Sequence, residues 1–210
     1  MTLQNRVDPW GRLNEHPSKA GTVMGNRGIL HNAEKRIIKR WTTKAWVACD
    51  PKFRGISRKP LFDLNRYSEL FFLDEATALA AGHRPCAYCQ RDRFDAFKAA
   101  WARSAEPPLD SANVPIKEVD AELHGQRVSR GIQKITFNAP VGSLPEGTMI
   151  EVDADAFLLH RGRRWRWTFL GYEPADPLPP ATRVRVLTSE GIVRVYSAGY
   201  KPSVHVSADS

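Results

Sequence analysis

The sequence predicts an α+β protein, with helices between residues 74 and 127 and strands after residue 131. Two patterns carry this expectation. Phe94, Phe97 and Trp101 recur at helical spacing within 90–103. Beyond Gly131 the apolar period changes to two. The composition, 42% hydrophobic and 26% charged, suits a packed globular core, and 210 residues accommodate one or two domains. No stretch approaches the roughly 18 apolar residues of a membrane span. Met1 to Arg12 lacks a secretory apolar region, so a cytoplasmic protein without a membrane partner is expected. Three cysteines are too few, and odd in number, for a disulfide framework, which fits a reducing compartment.

Taken in order, residues 1–21 carry Pro9, Gly11, Pro17 and Gly21 without a period and predict an irregular arm. Lys35–Val47 is rich in β-branched and aromatic residues, as strands are. From Cys49 to Arg66, Pro51, Gly55 and Pro60 predict a loop. Asp74 is placed to cap a short helix running to Ala80, closed by Gly82. A second helix spans Gln90–Arg103, and Pro107 and Pro108 mark a linker. Pro115 opens a third helix, with Ile116, Val119 and Leu123 on one face and Gly125 after its end. The strand candidates are Ile132–Asn138, Thr148–Val152, Phe157–Arg161, Arg164–Leu170, Arg183–Thr188 and Ile192–Ser197. Trp165, Trp167 and Phe169 share one face there, opposite Arg164, Arg166 and Thr168. So many short strands predict an antiparallel sandwich or partly open barrel.

Charge is distributed unevenly. Lys plus Arg is 31 and Asp plus Glu is 23, a net +8. Residues 1–60 hold 13 basic and 4 acidic side chains, so the remaining 150 residues are nearly neutral. A basic excess confined to one segment is the footprint expected for a polyanion, DNA first and RNA by the same charge.

Cys86-Ala-Tyr-Cys89 is either a redox pair or half of a metal site. A redox pair belongs to a strand–C-x2-C–helix unit within a βαβ pattern. Here a helix and a Gly-His-Arg-Pro turn precede the cysteines, so zinc is the better reading. The run Phe72-Leu-Asp-Glu-Ala-Thr-Ala-Leu-Ala-Ala-Gly-His-Arg-Pro-Cys86-Ala-Tyr-Cys89-Gln resembles the zinc-binding module of the Ada-type DNA methylphosphotriester repair proteins. The match is dense over about twenty residues and extends more loosely over 22–103. The resemblance implies a small zinc-binding α/β module at 22–103 and does not cover the C-terminal half; the residue pattern there predicts a linker and short helix at 104–125 and a mainly antiparallel β domain at 126–210.

In that family four cysteines hold one zinc, and the first also accepts a methyl group from a DNA phosphotriester. Thr42-Thr43 and Trp46-Val-Ala-Cys49 map Cys49 onto the acceptor position, with Cys86 and Cys89 as further ligands. The family's second cysteine is replaced here by Phe53. The fourth ligand is then His31 first, with His83, water or Asp50 as alternatives. Three thiolates and a neutral histidine leave the zinc centre at −1 instead of −2, which tempers the Cys49 sulfur as a nucleophile. Lys44, Lys52, Arg54 and Arg58 flank Cys49 and are the expected contacts to the DNA backbone. These features together predict a zinc-binding, DNA-binding protein of DNA repair or DNA modification. A second reading is a nuclease-like hydrolase with its site in the β domain, built on His124 and His205, and a purely structural zinc. His124 follows Asp120 by four residues, within reach of a helical i,i+4 contact.

Overall fold

The computed structural model describes residues 2–57, 59–127 and 134–209. It is α+β, as the sequence predicts, with two six-stranded sheets and four α-helices among the described residues. The first sheet contains β1 (Gln4–Val7), β2 (Leu13–Glu15), β3 (Val23–Asn26), β4 (Val47–Cys49), β5 (Leu70–Phe72) and β6 (Arg84–Pro85). Its order is β2-β1-β5-β3-β4-β6, with β1 parallel to β5, β4 parallel to β6, and the other pairs antiparallel. The second contains β7 (Phe137–Pro140), β8 (Met149–Val152), β9 (Asp155–His160), β10 (Arg163–Trp167), β11 (Tyr172–Ala175) and β12 (Arg183–Val186). It is antiparallel throughout, in the order β11-β10-β9-β8-β12-β7.

The helices are α1 (Glu75–Ala80), α2 (Arg91–Arg103), α3 (Ile116–Arg127) and α4 (Glu190–Ser197). α1 starts where its capping residue requires. Asp74 is extended, and its Oδ1 accepts from Thr77 N at 2.8 Å and from Thr77 Oγ1 at 2.7 Å. Gly82, at φ +87°, ends it in the left-handed conformation that a Cβ disfavours. Every residue of α1 is buried, and it serves three cores at once. Ala78 and Ala81 pack with Val7, Leu30, Leu70 and Phe72 of the first sheet's side. Ala76 and Ala80 pack with Met149, Leu158, Trp165 and Tyr172 of the second. Leu79 packs with Phe97 and Trp101 of α2, Leu123 of α3, and Ile192 and Val195 of α4. The core is therefore continuous from residues 22–103 through 104–125 to 126–210.

Several local expectations are corrected. The arm at 1–21 holds a hairpin, because β1 finds a parallel partner in β5 that local sequence cannot reveal. Lys35–Val47 yields one isolated bridge, His31 to Ile37, and only its last residue enters β4. The third helix passes through Gly125 to Arg127. Ile192–Ser197 belongs to α4, not to a strand. Ile192, Val195 and Tyr196 are buried at i, i+3 and i+4, which outweighs their β-branched composition. β11 contains Pro174 at the start of a proline-rich stretch, which the sheet edge tolerates because no ladder hydrogen bond is lost there. Of the candidate strand Ile132–Asn138, residues 132 and 133 lie outside the described residues.

The Asp74 carboxylate also accepts from Tyr172 OH and His205 N, both at 2.9 Å, and so ties the second sheet and the C-terminal turn to the start of α1. Asp74→Ala removes these acceptors and leaves buried donors unpaired. It is expected to lower unfolding free energy by about 3 kcal/mol, read from urea denaturation. A loss below about 0.5 kcal/mol would show that the cap is replaceable.

Candidate metal centre

Two strands and one turn bring the three cysteines together. Cys49 ends β4, opposite Met24 of β3. β6 lies parallel to β4, with Ala48 facing Pro85, so the next residue, Cys86, arrives beside Cys49. The Cys86 N–H donates to Ala48 O at 2.9 Å and fixes that approach. The chain then turns, with Gln90 N donating to Cys86 O at 3.1 Å, and Cys89 comes round to the same side. Gln90 Nε2 donates to Ala48 O at 3.2 Å, tying the start of α2 to β4. The three ligand sulfurs all lie within 4.8 Å of one another. All three thiols are free.

This spacing fits a metal ion. Tetrahedral Zn–S bonds of about 2.3 Å separate sulfurs by about 3.8 Å, so the observed cluster needs only small adjustment to close on an ion. Asp50 N donates to Cys89 Sγ at 3.4 Å, a hydrogen bond suited to a metal-bound thiolate. Within the metal-free cluster, the hydrogen bond from Cys49 pulls Cys86 down to about 5. The same bond, followed by burial, pushes the Cys49 thiol far up. Burial raises Cys89. One thiolate is therefore formed readily here, and a cation is what would draw off the other protons.

All three cysteines line a cavity of about 360 Å³, together with Asn26, Phe53, Tyr67, Glu69 and Tyr88. Phe53 packs edge-on against Tyr88, ring centroids 5.2 Å apart, with the Arg54 guanidinium over both rings. Phe53 thus walls the site without offering a ligand atom. Cys49 is 7% exposed, whereas Cys86 and Cys89 are half-buried.

Among the described residues no fourth His, Cys, Asp or Glu joins the cluster. The expectation for His31 is therefore corrected. Its ring is buried and stacked on Phe62 at 4.6 Å, and Nδ1 is hydrogen-bonded with Ser68 Oγ at 2.6 Å. The chain turns away after β3, which leaves His31 in a separate packing site. His83 is fully buried between Phe72 and Trp46, and its Nε2 accepts from Arg27 Nε at 3.2 Å. Burial holds it well below the usual histidine range, so it packs as a neutral ring. Asp50 contributes its backbone N–H, and its Oδ1 accepts from Lys52 N at 2.7 Å.

Lys44, Lys52 and Arg54 are exposed, as polyanion contacts must be. Arg58 lies outside the described residues. His124 and His205 do not meet in a site. His124 packs against Trp41 and Trp46. His205 sits in the C-terminal turn, its Nδ1 hydrogen-bonded with Ser207 Oγ at 2.8 Å. Asp120 is not a partner of His124, because Arg84 holds it through two hydrogen bonds of 2.8 Å. Trp165 and Trp167 are buried in the core, which leaves them unable to stack on bases. The sequence gives no warning of the Asp50 N–H to sulfur bond or of the Phe53–Tyr88 wall, since both need the loop after β4 to fold back on the cysteine turn.

No helix among the described residues is long and apolar enough to cross a membrane. Comparison with known protein families, curated proteins and solved structures finds no match for this chain.

If the three sulfurs act as one ligand set, Cys49→Ser, Cys86→Ser and Cys89→Ser each reduce bound metal from about one ion per chain to near zero. Elemental analysis of the purified proteins measures this directly. Full metal retention in Cys86→Ser would overturn the assignment.

Proposed function

We propose that this protein is a zinc-thiolate protein that binds DNA, in which Cys49, Cys86 and Cys89 hold a zinc ion that stiffens a basic binding face. Zinc suits an all-sulfur donor set better than oxygen-seeking cations such as magnesium or calcium do. The observation that carries the DNA reading is the unpaired charge between residues 35 and 54. Lys35, Arg36, Lys39, Lys44, Lys52 and Arg54 are exposed and form no ion pair among the described residues. Several arginines elsewhere are matched: Arg84 with Asp120, Arg93 with Glu75, Arg166 with Glu173, Arg185 with Glu151 and Arg194 with Glu122. A self-contained protein surface disperses its charge, whereas a face that meets phosphates leaves cations unmatched.

The ligand role suits Cys49 better than methyl acceptance does. Transfer would form a bond from Cys49 Sγ to the methyl carbon of a phosphotriester and release the phosphodiester anion. Cys49 is the most buried of the three thiols, 7% exposed, in a cavity that Phe53 and Tyr88 also line. Burial of this kind marks a scaffold ligand and not an attacking group.

Duplex DNA binding, followed by fluorescence anisotropy, is expected to weaken steeply with salt. The Lys52→Ala/Arg54→Ala double variant should bind about tenfold more weakly, reduce the log–log salt slope by about 2, and keep its metal. A wild-type affinity that does not change with salt would refute DNA binding through this face. After incubation with methylated DNA, the Cys49 peptide is expected to keep its unmodified mass; a gain of one methyl group would restore the transfer role.

A further inference from the structure

A second cavity, of about 550 Å³, lies against the C-terminal end of α1 and takes its walls from both halves of the chain. Its lining includes Arg12, Arg27, Arg40, Arg127, Lys134 and Arg185, and no carboxylate. Arg185 is neutralised by Glu151 at 3.0 Å. Arg27 and Arg127 are different. They are 2% and 5% exposed, and neither forms an ion pair among the described residues.

Arg27 Nε donates to His83 Nε2 and Nη1 to Gly11 O at 3.0 Å, but Nη2 has no partner. Arg127 Nη1 donates to Lys44 O at 2.9 Å, while Nε and Nη2 have none. Both guanidiniums lie against the Trp46 indole, 4.1 and 4.6 Å from the ring centroid. Ser189, before α4, also lines the cavity, and its buried hydroxyl neither caps the helix nor bonds elsewhere. Gly82 makes room for this arrangement, since a Cβ there would lie 2.7 Å from Arg127 Cγ.

The surroundings do not supply the missing negative charge. The carboxylates that bear on these cations are Asp8 and Asp120. Asp8 is held by Arg12 N and Asn14, and Asp120 by Arg84. Residues 128–133, which join Arg127 to Lys134, contain no Asp or Glu. Burial, with the mutual repulsion of the two arginines, pulls Arg27 down to about 9, and burial pulls Arg127 to about 9 and Lys134 to about 7. Lys134 Nζ already donates to Pro9 O and Ala80 O, but buried guanidiniums with orphaned donors, as Arg27 and Arg127 are, cost several kcal/mol each unless an anion completes them.

The anion can be specified. A carboxylate carries one charge and two oxygens, too little for two guanidiniums and an ammonium. A phosphomonoester carries about −1.5 to −2 and three acceptor oxygens, enough for the orphaned donors of Arg27, Arg127 and Ser189. Trp41 adds a half-exposed indole to the lining, a platform for a flat ring. The volume falls within the roughly 300–1,000 Å³ of small-molecule sites. We propose that this cavity binds a nucleoside monophosphate, its phosphoryl group on Arg27, Arg127 and Ser189 and its base against Trp41. This site is separate from the thiol cluster and does not depend on the DNA reading.

Calorimetric titration of the full chain with inorganic phosphate, adenosine 5′-monophosphate and adenosine tests the proposal. The monophosphate is expected to bind once per chain, roughly tenfold or more tightly than phosphate, with no measurable binding of adenosine. Ser189→Ala should weaken the monophosphate about tenfold at unchanged Tm, and Trp41→Ala should reduce it to the affinity of phosphate. Arg127→Met should abolish binding without lowering the ligand-free Tm, because it removes a buried unpaired charge. Lys52→Ala/Arg54→Ala should leave this binding unchanged, so a failure of the DNA reading is recognised separately. Three results would overturn the proposal: no binding of phosphate or monophosphate, equal affinity for the two, or monophosphate binding insensitive to Ser189→Ala and Trp41→Ala.

Discussion

The structure depends on two carboxylates buried side by side at the start of one short helix. Asp74 accepts from Thr77, Tyr172 and the His205 N–H. Glu75 accepts from Arg93, from Tyr200 OH and from Ser203 N at 2.7 Å. Both side chains are almost wholly removed from water, a cost that only a full set of donors offsets. Those donors come from α1 itself, from α2, from β11 and from the C-terminal turn. The last two are about 100 or more residues away in sequence, so the carboxylates are satisfied only when the whole chain has assembled.

The body of α1 explains why these donors can converge. Three alanines within its six residues allow packing partners to approach from every side without overfilling the space. The chain then passes without a break from Gly82 through His83 and Arg84 to Cys86. Each residue of that passage fixes something different. Gly82 admits Arg127, His83 accepts from Arg27, Arg84 holds Asp120, and Pro85 lies beside Ala48 to deliver the cysteine. One buried segment therefore serves both the thiol cluster and the basic cavity.

Charge follows a comparable division. Arg84, buried against Asp120, and the partly exposed Arg93, paired with the buried Glu75, hold elements together. Arg27 and Arg127 are equally buried yet are left with unused donors around an open volume. Lys35, Arg36, Lys39, Lys44, Lys52 and Arg54 form a third class, exposed and without an ion pair among the described residues. Structural, cavity-lining and surface cations cannot be told apart by counting Lys and Arg. What separates them is whether a carboxylate is within reach after folding.

Local chemistry in the sequence determined a good deal by itself. Asp74 before Thr77 and Gly82 after Ala81 specify α1, because capping acts within one turn. The apolar spacing of Phe94, Phe97 and Trp101 specifies α2, and the alternation Arg164-Trp165-Arg166-Trp167 specifies which face of β10 is buried. The C-x2-C turn marks two candidate ligands, and the resemblance around Thr42-Thr43 and Trp46-Val-Ala-Cys49 implies Cys49 as the third; the three thiols do lie together. Tertiary structure decided the rest, through pairings the chain reaches only at long range. β1 becomes a strand because β5 lies beside it. Ile192–Ser197 becomes helical because α2 and α3 offer it a core at helical spacing. His31 is drawn away from the cysteines by Ser68 and Phe62. The basic cavity has no local signature, since Arg27, Arg127 and Ser189 are at least sixty residues apart and share neither a motif nor a period. Short-range rules fix caps, faces and metal-ligand pairs; which buried charges keep a partner depends on how distant segments meet.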